Sequence, residues 1–194
     1  LMILTNWLCA EFIRQQAVPL VYRNQPPPRE TIAGAGKDNL VLNLRQRRLL
    51  NRVTISTAAG SHSSLGLQPY STFTSPIRKY SDLVAQRQLK AALLGDRAPH
   101  SEAELKQIIA DLEINVSKIN LVQEQRHRYW LTKYLQGKIG ETLNAVAVNQ
   151  AFNRLDLFLT DYLTETSIPC SPASAPVPGT ALTVRLDRVD VFTG

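Results

Sequence analysis

The sequence contains few of the features that mark a membrane, secreted or metal-binding protein. Its 194 residues include only two cysteines, Cys9 and Cys170, which lie far apart and give neither a metal-ligand spacing nor a disulfide framework. The longest apolar run, residues 1–13, is interrupted by Asn6 and Glu11 and is too short to cross a bilayer. It also lacks the basic leader and cleavage site of a secretory signal. We therefore expect a cytoplasmic protein with reduced thiols and no membrane partner.

Charge is the main bias in the composition. Lys and Arg total 22 against 16 acidic residues, which gives a formal net charge of +6. Such a basic excess favours polyanionic partners such as nucleic acid, although many proteins without such partners share it. Hydrophobic residues make up 44% of the chain, which is ordinary for a globular protein of one domain or two small ones.

The first two thirds of the chain show mainly helical periodicity. Residues 1–16 predict a helix that is buried on more than one side. Ser75-Pro76 predicts a sharp helix start, with Ser75 as the N-cap, and Ser101-Glu-Ala-Glu104 forms a capping box. The predicted helices cover residues 1–16, 39–52, 75–95 and 101–136, with a loop at 26–37 and short strands at 19–22 and 53–57.

After Gly140 the hydrophobic period changes from helical to strand spacing. The predicted strands cover residues 143–148, 155–159, 165–168 and 181–192, with turns at 153–154 and 176–179. Short alternating strands of this kind predict a small antiparallel barrel of the OB type. The sequence thus predicts an α+β protein with a mostly helical domain at 1–137 and a barrel at 140–194.

The segment from Thr74 to Lys79 carries the clearest candidate chemistry. A helix that starts at Ser75 would offer unpaired backbone N–H groups to an anion, with Arg78 and Lys79 in its first turn. Two cations at a positive helix end favour a bound polyanion, and arginine can hold phosphate oxygens bidentately. We expect Asp82, one turn on, to orient Arg78. The alternative is that both cations point to solvent or pair with acids elsewhere.

The same segment is part of the pattern Gly66-Leu-x-x-Tyr70-x-x-Phe-Thr-Ser-Pro-Ile-Arg78-Lys-Tyr80-x-Asp82-Leu-x-x-x-Arg87. This pattern resembles the signature of the RNB catalytic domain, which is shared by ribonuclease II, ribonuclease R and their eukaryotic relatives. Residues 2–6, 19–23, His62 and Glu124 resemble other segments of the family in the same order. The resemblance covers residues 1–135, and the predicted barrel resembles the family's RNA-binding OB module more weakly.

The resemblance implies a hydrolase that degrades single-stranded RNA from its 3′ end to nucleoside 5′-monophosphates. It implies that Arg78 contacts the scissile phosphate and that Glu124 lies near the 3′-terminal nucleotide. The candidate RNA-binding residues are Thr74, Ser75, Lys79, His62 and Tyr70. For His62 a structural hydrogen bond is an equal alternative, and Tyr80, Asp82 and Arg87 are expected to hold the helix in place.

The resemblance also implies a magnesium ion bound by clustered aspartates, but the sequence has no Asp-rich run. We therefore expect Mg²⁺ to be bound by residues upstream of this chain. The chain would then be the C-terminal portion of an enzyme, inactive without its missing N-terminal half. Two alternatives are a catalytically inactive RNA-binding protein that retains the RNB scaffold, and a coincidental match in an unrelated basic α/β protein.

The polar residues of the second half suggest further RNA contacts. In the predicted barrel, Arg154, Tyr162, Arg185 and Arg188 could form a basic and aromatic surface that tracks a single strand. A salt-bridged exterior is the alternative there, since alternation puts Arg185 on the same strand face as Asp187.

Overall fold

A computed structural model describes residues 1–36 and 38–191 of the chain. The helices are α1 (Met2–Gln15), α2 (Leu40–Leu49), α3 (Tyr80–Leu94) and α4 (Glu102–Gln136). The strands are β1 (Tyr22–Asn24), β2 (Thr54–Ser56), β3 (Thr142–Ala151), β4 (Arg154–Leu159), β5 (Thr164–Pro169) and β6 (Ala181–Arg185). This mixture of helices and antiparallel sheet confirms the predicted α+β class. The chain forms two compact units, one of residues 1–29 and 50–118 and one of residues 30–49 and 119 onward.

The core of the first unit forms between one face of α1, the chain around β1 and α3. Ala10 and Ile13 of α1 are fully buried against Leu20, Phe73 and Ala85. The prediction that α1 is buried on more than one side is wrong. The apolar side chains near its start are about half exposed or more: Met2, Ile3, Leu4 and Leu8. Apolar periodicity reports which residues favour burial, and it does not report whether a neighbouring element covers them.

The small sheet of the first unit is a two-stranded antiparallel ribbon in which β1 pairs with β2, Tyr22 opposite Ser56. The predicted strand at 53–57 is confirmed. The strand predicted at 19–22 is shifted, because β1 begins only at Tyr22. Pro19 has no N–H to donate to a ladder, and Leu20 and Val21 are buried in the core without a strand partner.

The C-terminal end of α3 and the start of α4 follow the local rules that the sequence indicates. Gly95 ends α3 in the left-handed conformation with φ 70°, and its N–H reaches Ala91 O. The capping box at the start of α4 is formed in both directions: Ser101 N donates to Glu104 Oε2 at 2.7 Å, and Glu104 N donates to Ser101 Oγ at 3.3 Å. No helix in the described part of the chain is both long and apolar enough to cross a bilayer.

The second unit is built on a four-stranded antiparallel sheet with the order β5-β4-β3-β6. One face buries alternating residues of the two central strands: Leu143, Ala145, Ala147, Leu155, Leu157 and Leu159. On β3 and β4, Val148 and Phe158 pack with Leu44 of α2, and Arg48 of α2 pairs with Glu165. The four strands confirm the prediction, except that β6 ends at Arg185. Phe192, predicted as the end of that strand, lies outside the described residues. Closure into an OB barrel and the domain boundary at 137–140 stay predictions.

Candidate functional site

A fully buried carboxylate organises the segment that carries the candidate cations. Asp82, in the first turn of α3, accepts hydrogen bonds from Thr72 Oγ1 at 2.6 Å, Ser75 N at 3.0 Å and Ser81 Oγ at 3.3 Å. These bonds satisfy a charge that would be costly to bury alone. They also hold residues 72–75 against the start of the helix. The prediction that Asp82 orients Arg78 directly is wrong, because Asp82 is fully buried, whereas the guanidinium of Arg78 is exposed and reaches Ser75 Oγ.

The predicted helix start at Ser75-Pro76 is also wrong, because residues 75–79 form a separate turn. Arg78 N and Lys79 N both reach Ser75 O, at 3.2 and 3.0 Å. Lys79 then adopts an extended conformation, φ −127° and ψ 110°, and α3 begins at Tyr80. A Ser-Pro pair also suits the first positions of a turn, and the bond from Ser75 N to Asp82 fixes that geometry. The first turn of α3 therefore carries the acidic Asp82, as helix termini prefer, and the two cations precede it.

The turn presents Arg78 to solvent. Arg78 and Thr74 are exposed, Ser75 and Lys79 are half-buried, and Arg78 Nη2 lies 3.4 Å from Ser75 Oγ. Within residues 1–36 and 38–191, neither Arg78 nor Lys79 forms an ion pair, so the alternative that acids elsewhere neutralise them fails for this part of the chain. The structure thus brings together four predicted site residues, Thr74, Ser75, Arg78 and Lys79. Their uncompensated charge suits an anion such as a phosphate.

Tyr70 and His62, two of the predicted RNA contacts, are buried behind this turn. Asn6 of α1 donates from Nδ2 to Tyr70 Oη at 3.2 Å and accepts from Phe73 N at 3.0 Å. The ring of His62 meets the ring of Tyr70 edge to face, with centroids 5.3 Å apart. In this chain the two side chains support the loop from within, and their contact with RNA stays a prediction.

His62 is held as a neutral side chain by its surroundings. Burial lowers the pKa of its imidazole below the ordinary value of 6.5, and the nearby Arg23 lowers it further, against a smaller opposite effect of its own backbone. Its Nδ1 is buried and has no hydrogen-bond partner in the part of the chain that the structure describes. A neutral histidine adds no positive charge for binding a phosphate.

Asn6 supports the site through its bonds to Tyr70 and Phe73, a role that the sequence pattern did not predict. A buried Asn on an otherwise apolar helix is itself a signal, because its amide needs hydrogen-bond partners inside the protein. The partners themselves, 64 and 67 residues away, cannot be inferred from the helix alone.

Glu124, the other predicted catalytic residue, lies on α4 in the second unit. Its side chain is exposed, as is every residue from 113 to 130 of that helix. It has no hydrogen bond or ion pair among those of the described residues.

The Arg78 turn does not fit a magnesium ion. Its charged side chains are cations, and Mg²⁺ prefers carboxylate and carbonyl oxygens. Among the described residues, no group of three or more His, Cys, Asp or Glu side chains could hold a metal ion.

The fold and the Arg78 turn define a mixed helix–sheet protein with an exposed, unpaired guanidinium next to a helix start. Residues 1–95 match the family model of the RNB domain. This part of the chain belongs to the RNB domain family, and the resemblance found in the sequence is confirmed.

The curated relatives are ribonucleases that are much longer than this chain. An uncharacterized ribonuclease of Synechocystis is 31% identical over 154 residues, which cover 75% of this chain and 22% of that protein. Exoribonuclease 2 of Yersinia pestis is 39% identical over 100 residues, which cover 51% of this chain and 15% of that protein. The chain therefore spans less than a quarter of the length of either relative.

Solved structures share the fold over nearly the whole chain. An active-site mutant of the Dss1 exoribonuclease from Candida glabrata superposes with a TM-score of 0.77 at 23% identity, covering 95% of this chain and 25% of that one. RNase R of Mycoplasma genitalium, in complex with ribose-methylated single-stranded RNA, superposes with a TM-score of 0.72 at 19% identity. That match covers 98% of this chain and 39% of RNase R. At these identities the likeness establishes the fold.

Proposed function

We propose that the gene product containing this chain is a hydrolytic exoribonuclease that degrades single-stranded RNA from the 3′ end to nucleoside 5′-monophosphates. Membership of residues 1–95 in the RNB domain family supports this proposal, as do relatives named as ribonucleases. A structural neighbour described in complex with single-stranded RNA supports the class of ligand. In this proposal the chain supplies the phosphate-binding side of the active site.

The observation that carries the proposal is the exposed, unpaired Arg78 on a turn braced by Asp82. During hydrolysis negative charge builds up on the oxygens of the attacked phosphate. A guanidinium fixed in place beforehand stabilises that charge without having to reorganise when the reaction occurs. We assign this role to Arg78, with Thr74, Ser75 and Lys79 as further contacts to the RNA backbone. Glu124 is proposed to lie near the 3′-terminal nucleotide.

Three further expectations stay part of the proposal. The magnesium ion would be bound by carboxylates outside these 194 residues. Those carboxylates would belong to an N-terminal half that completes the enzyme. The location would be the cytoplasm, where free thiols such as those of Cys9 and Cys170 stay reduced.

The test follows the products formed from labelled RNA. The purified natural gene product is incubated with magnesium and single-stranded RNA labelled at its 5′ end. We expect a ladder of fragments that all retain the label, and mass spectrometry should identify nucleoside 5′-monophosphates. Early release of the 5′ label would contradict the direction. Binding of the RNA without any shortening would instead support an inactive RNA-binding protein.

A further inference from the structure

The C-terminal half of α4 exposes aromatic side chains between cations. Trp130 and Tyr134 are 63% and 58% exposed, although large aromatic side chains usually bury most of their surface. They are four residues apart, so they lie on the same side of the helix about one turn from each other. Arg126 precedes Trp130 by four residues and Lys133 follows it by three. The four side chains Arg126, Trp130, Lys133 and Tyr134 form what we call the α4 stripe.

Neighbouring contacts within the second unit fix one end of the stripe. The ring of Tyr134 packs near that of Tyr162, with centroids 6.2 Å apart. Lys138 Nζ lies 5.6 Å from the centre of the Tyr134 ring, a cation–π contact. Ordering one ring in this way reduces the entropy that would be lost when a flat ligand stacks on it.

A polar groove of about 460 Å³ runs beside the stripe. Lys133 of α4 and Arg188, which follows β6, both line it, with Asp190 as the acidic residue of the lining. Residues 188–191 form the wall of the groove opposite α4. Backbone hydrogen bonds between Leu186 and residues 140–141 hold the chain that leads into this wall, and Thr132 Oγ1 lies 3.5 Å from Val191 O at its end. Neither Lys133 nor Arg188 forms an ion pair among the described residues, so two cations against one acidic side chain leave the lining of the groove with a positive excess.

We propose that the α4 stripe and this groove bind single-stranded RNA, with bases stacked on Trp130 and Tyr134 and a phosphate held by Lys133 and Arg188. Aromatic rings accept every base, and cations at their side follow the sugar-phosphate backbone, which is the combination that single-strand binding requires. The charge of the stripe complements a polyanion, whereas a protein partner would more commonly meet an apolar surface of low charge. The proposal rests on the proposed function for the identity of its ligand.

The test measures binding of a fluorescein-labelled, twelve-nucleotide oligouridylate to the 194-residue chain by fluorescence anisotropy. We expect Trp130→Leu and Tyr134→Leu each to raise the Kd roughly tenfold, because leucine keeps the apolar bulk and loses the π-face. Phe152→Leu is the matched control, since Phe152 is a 95% exposed aromatic of the same unit outside the stripe, and its Kd should stay within about twofold. Lys133→Gln and Arg188→Gln should each make the salt dependence shallower by about 0.7 in the log–log slope, unlike the control Lys118→Gln.

Intrinsic fluorescence gives a direct readout of stacking that leaves Trp130 and Tyr134 unsubstituted. Trp7 and Trp130 are the two tryptophans of the chain. In a Trp7→Phe background the emission therefore comes from Trp130 alone, and RNA should quench it in parallel with the anisotropy change. Unchanged Kd values for both leucine variants, or RNA binding without quenching, would overturn the site on α4.

The two proposals can fail separately. If the gene product hydrolyses RNA but Trp130 is not quenched, the site on α4 is wrong and the exoribonuclease proposal stands. If Trp130 stacks on RNA but the gene product does not shorten it, the site on α4 stands as part of an RNA-binding protein.

Discussion

The carboxylate of Asp82 accepts a hydrogen bond from the backbone N–H of Ser75 at 3.0 Å, across seven residues of chain. This bond closes the turn that presents Arg78. Asp82 is fully buried and never reaches the solvent-exposed face of the turn. It therefore acts as a positioning residue, and its effect on chemistry should pass through the backbone of residues 75–79.

Replacing Asp82 by asparagine should both destabilise the fold and displace Arg78. The amide is neutral and keeps one acceptor oxygen, so the donors from Thr72, Ser75 and Ser81 all lose a charged partner and at least one loses its acceptor. We expect the free energy of unfolding to fall by about 1–3 kcal/mol, measured by urea denaturation. Asp96→Asn, at an exposed position after α3, is the control and should change stability by less than about 0.5 kcal/mol. Equal stability of the two variants would show that the buried bonds contribute nothing.

Replacing Arg78 by alanine should affect turnover far more than RNA affinity. If the guanidinium stabilises charge that develops during hydrolysis, its loss should lower kcat of the gene product by roughly 100-fold or more. The Kd for RNA should rise less than about threefold, since other contacts hold the backbone. Single-turnover kinetics and anisotropy measure the two quantities. Arg97→Ala, an exposed arginine in the loop after α3, serves as the control. Equal losses of binding and turnover would assign Arg78 to ground-state binding.

Local signals in the sequence predicted the elements whose ends depend on nearby residues. The capping box of Ser101 and Glu104 fixed the start of α4, and Gly95 fixed the end of α3. The change from helical to strand spacing after Gly140 located the four-stranded sheet. In each case the deciding contact lies within one turn or one strand pair, so pattern and propensity suffice to predict it.

The structure of the candidate site differs from the prediction where a contact with a distant or buried residue determines the backbone conformation or the burial of a side chain. Ser75-Pro76 suits a helix start and a turn equally, and the choice depends on Asp82, whose burial no local pattern shows. Tyr70 is buried where Asn6 of α1 bonds to its hydroxyl, and His62 is buried against the ring of Tyr70. The exposure of Arg78 follows from the same packing. The motif places these residues in one segment, and the structure separates those that face solvent from those that support the turn.

A double-mutant cycle can test whether Asn6 and Tyr70 support the turn as one unit. Tyr70→Phe removes the acceptor of the Asn6 amide and keeps the ring, so it should cost about 1 kcal/mol of stability. Asn6→Ala also leaves Phe73 N without its acceptor and should cost more. We expect a coupling energy of about 0.5–1.5 kcal/mol from urea denaturation of the single and double variants. Additive losses would mean that the two side chains act independently.

The same Tyr70→Phe variant distinguishes support of the turn from contact with RNA through the hydroxyl. A buried hydroxyl that bonds only to Asn6 should leave the Kd for RNA unchanged when it is removed. A rise in Kd larger than about threefold would assign the hydroxyl to the RNA.

Stability should decrease at acidic pH partly because His62 is buried in its neutral form. Its folded pKa lies below the ordinary value of 6.5, so below about pH 6.5 the unfolded chain takes up a proton that the folded chain does not yet bind. Protonation then favours unfolding, and the loss grows as the pH falls towards the folded pKa. Above that window the imidazole is neutral in both states and contributes no pH dependence. Urea denaturation between about pH 7.5 and 5.5 measures the slope.

His62→Gln removes this titration and should flatten the pH dependence of the unfolding free energy within the same window. His127→Gln removes one histidine at an exposed position of α4 and should leave the contribution of His62 in place. Nuclear magnetic resonance titration of the imidazole gives an independent check, because the midpoint for His62 should fall below 6.5. A midpoint at or above 6.5, together with the same slope in His62→Gln as in the unmodified chain, would show that solvent or a partner group reaches the buried Nδ1.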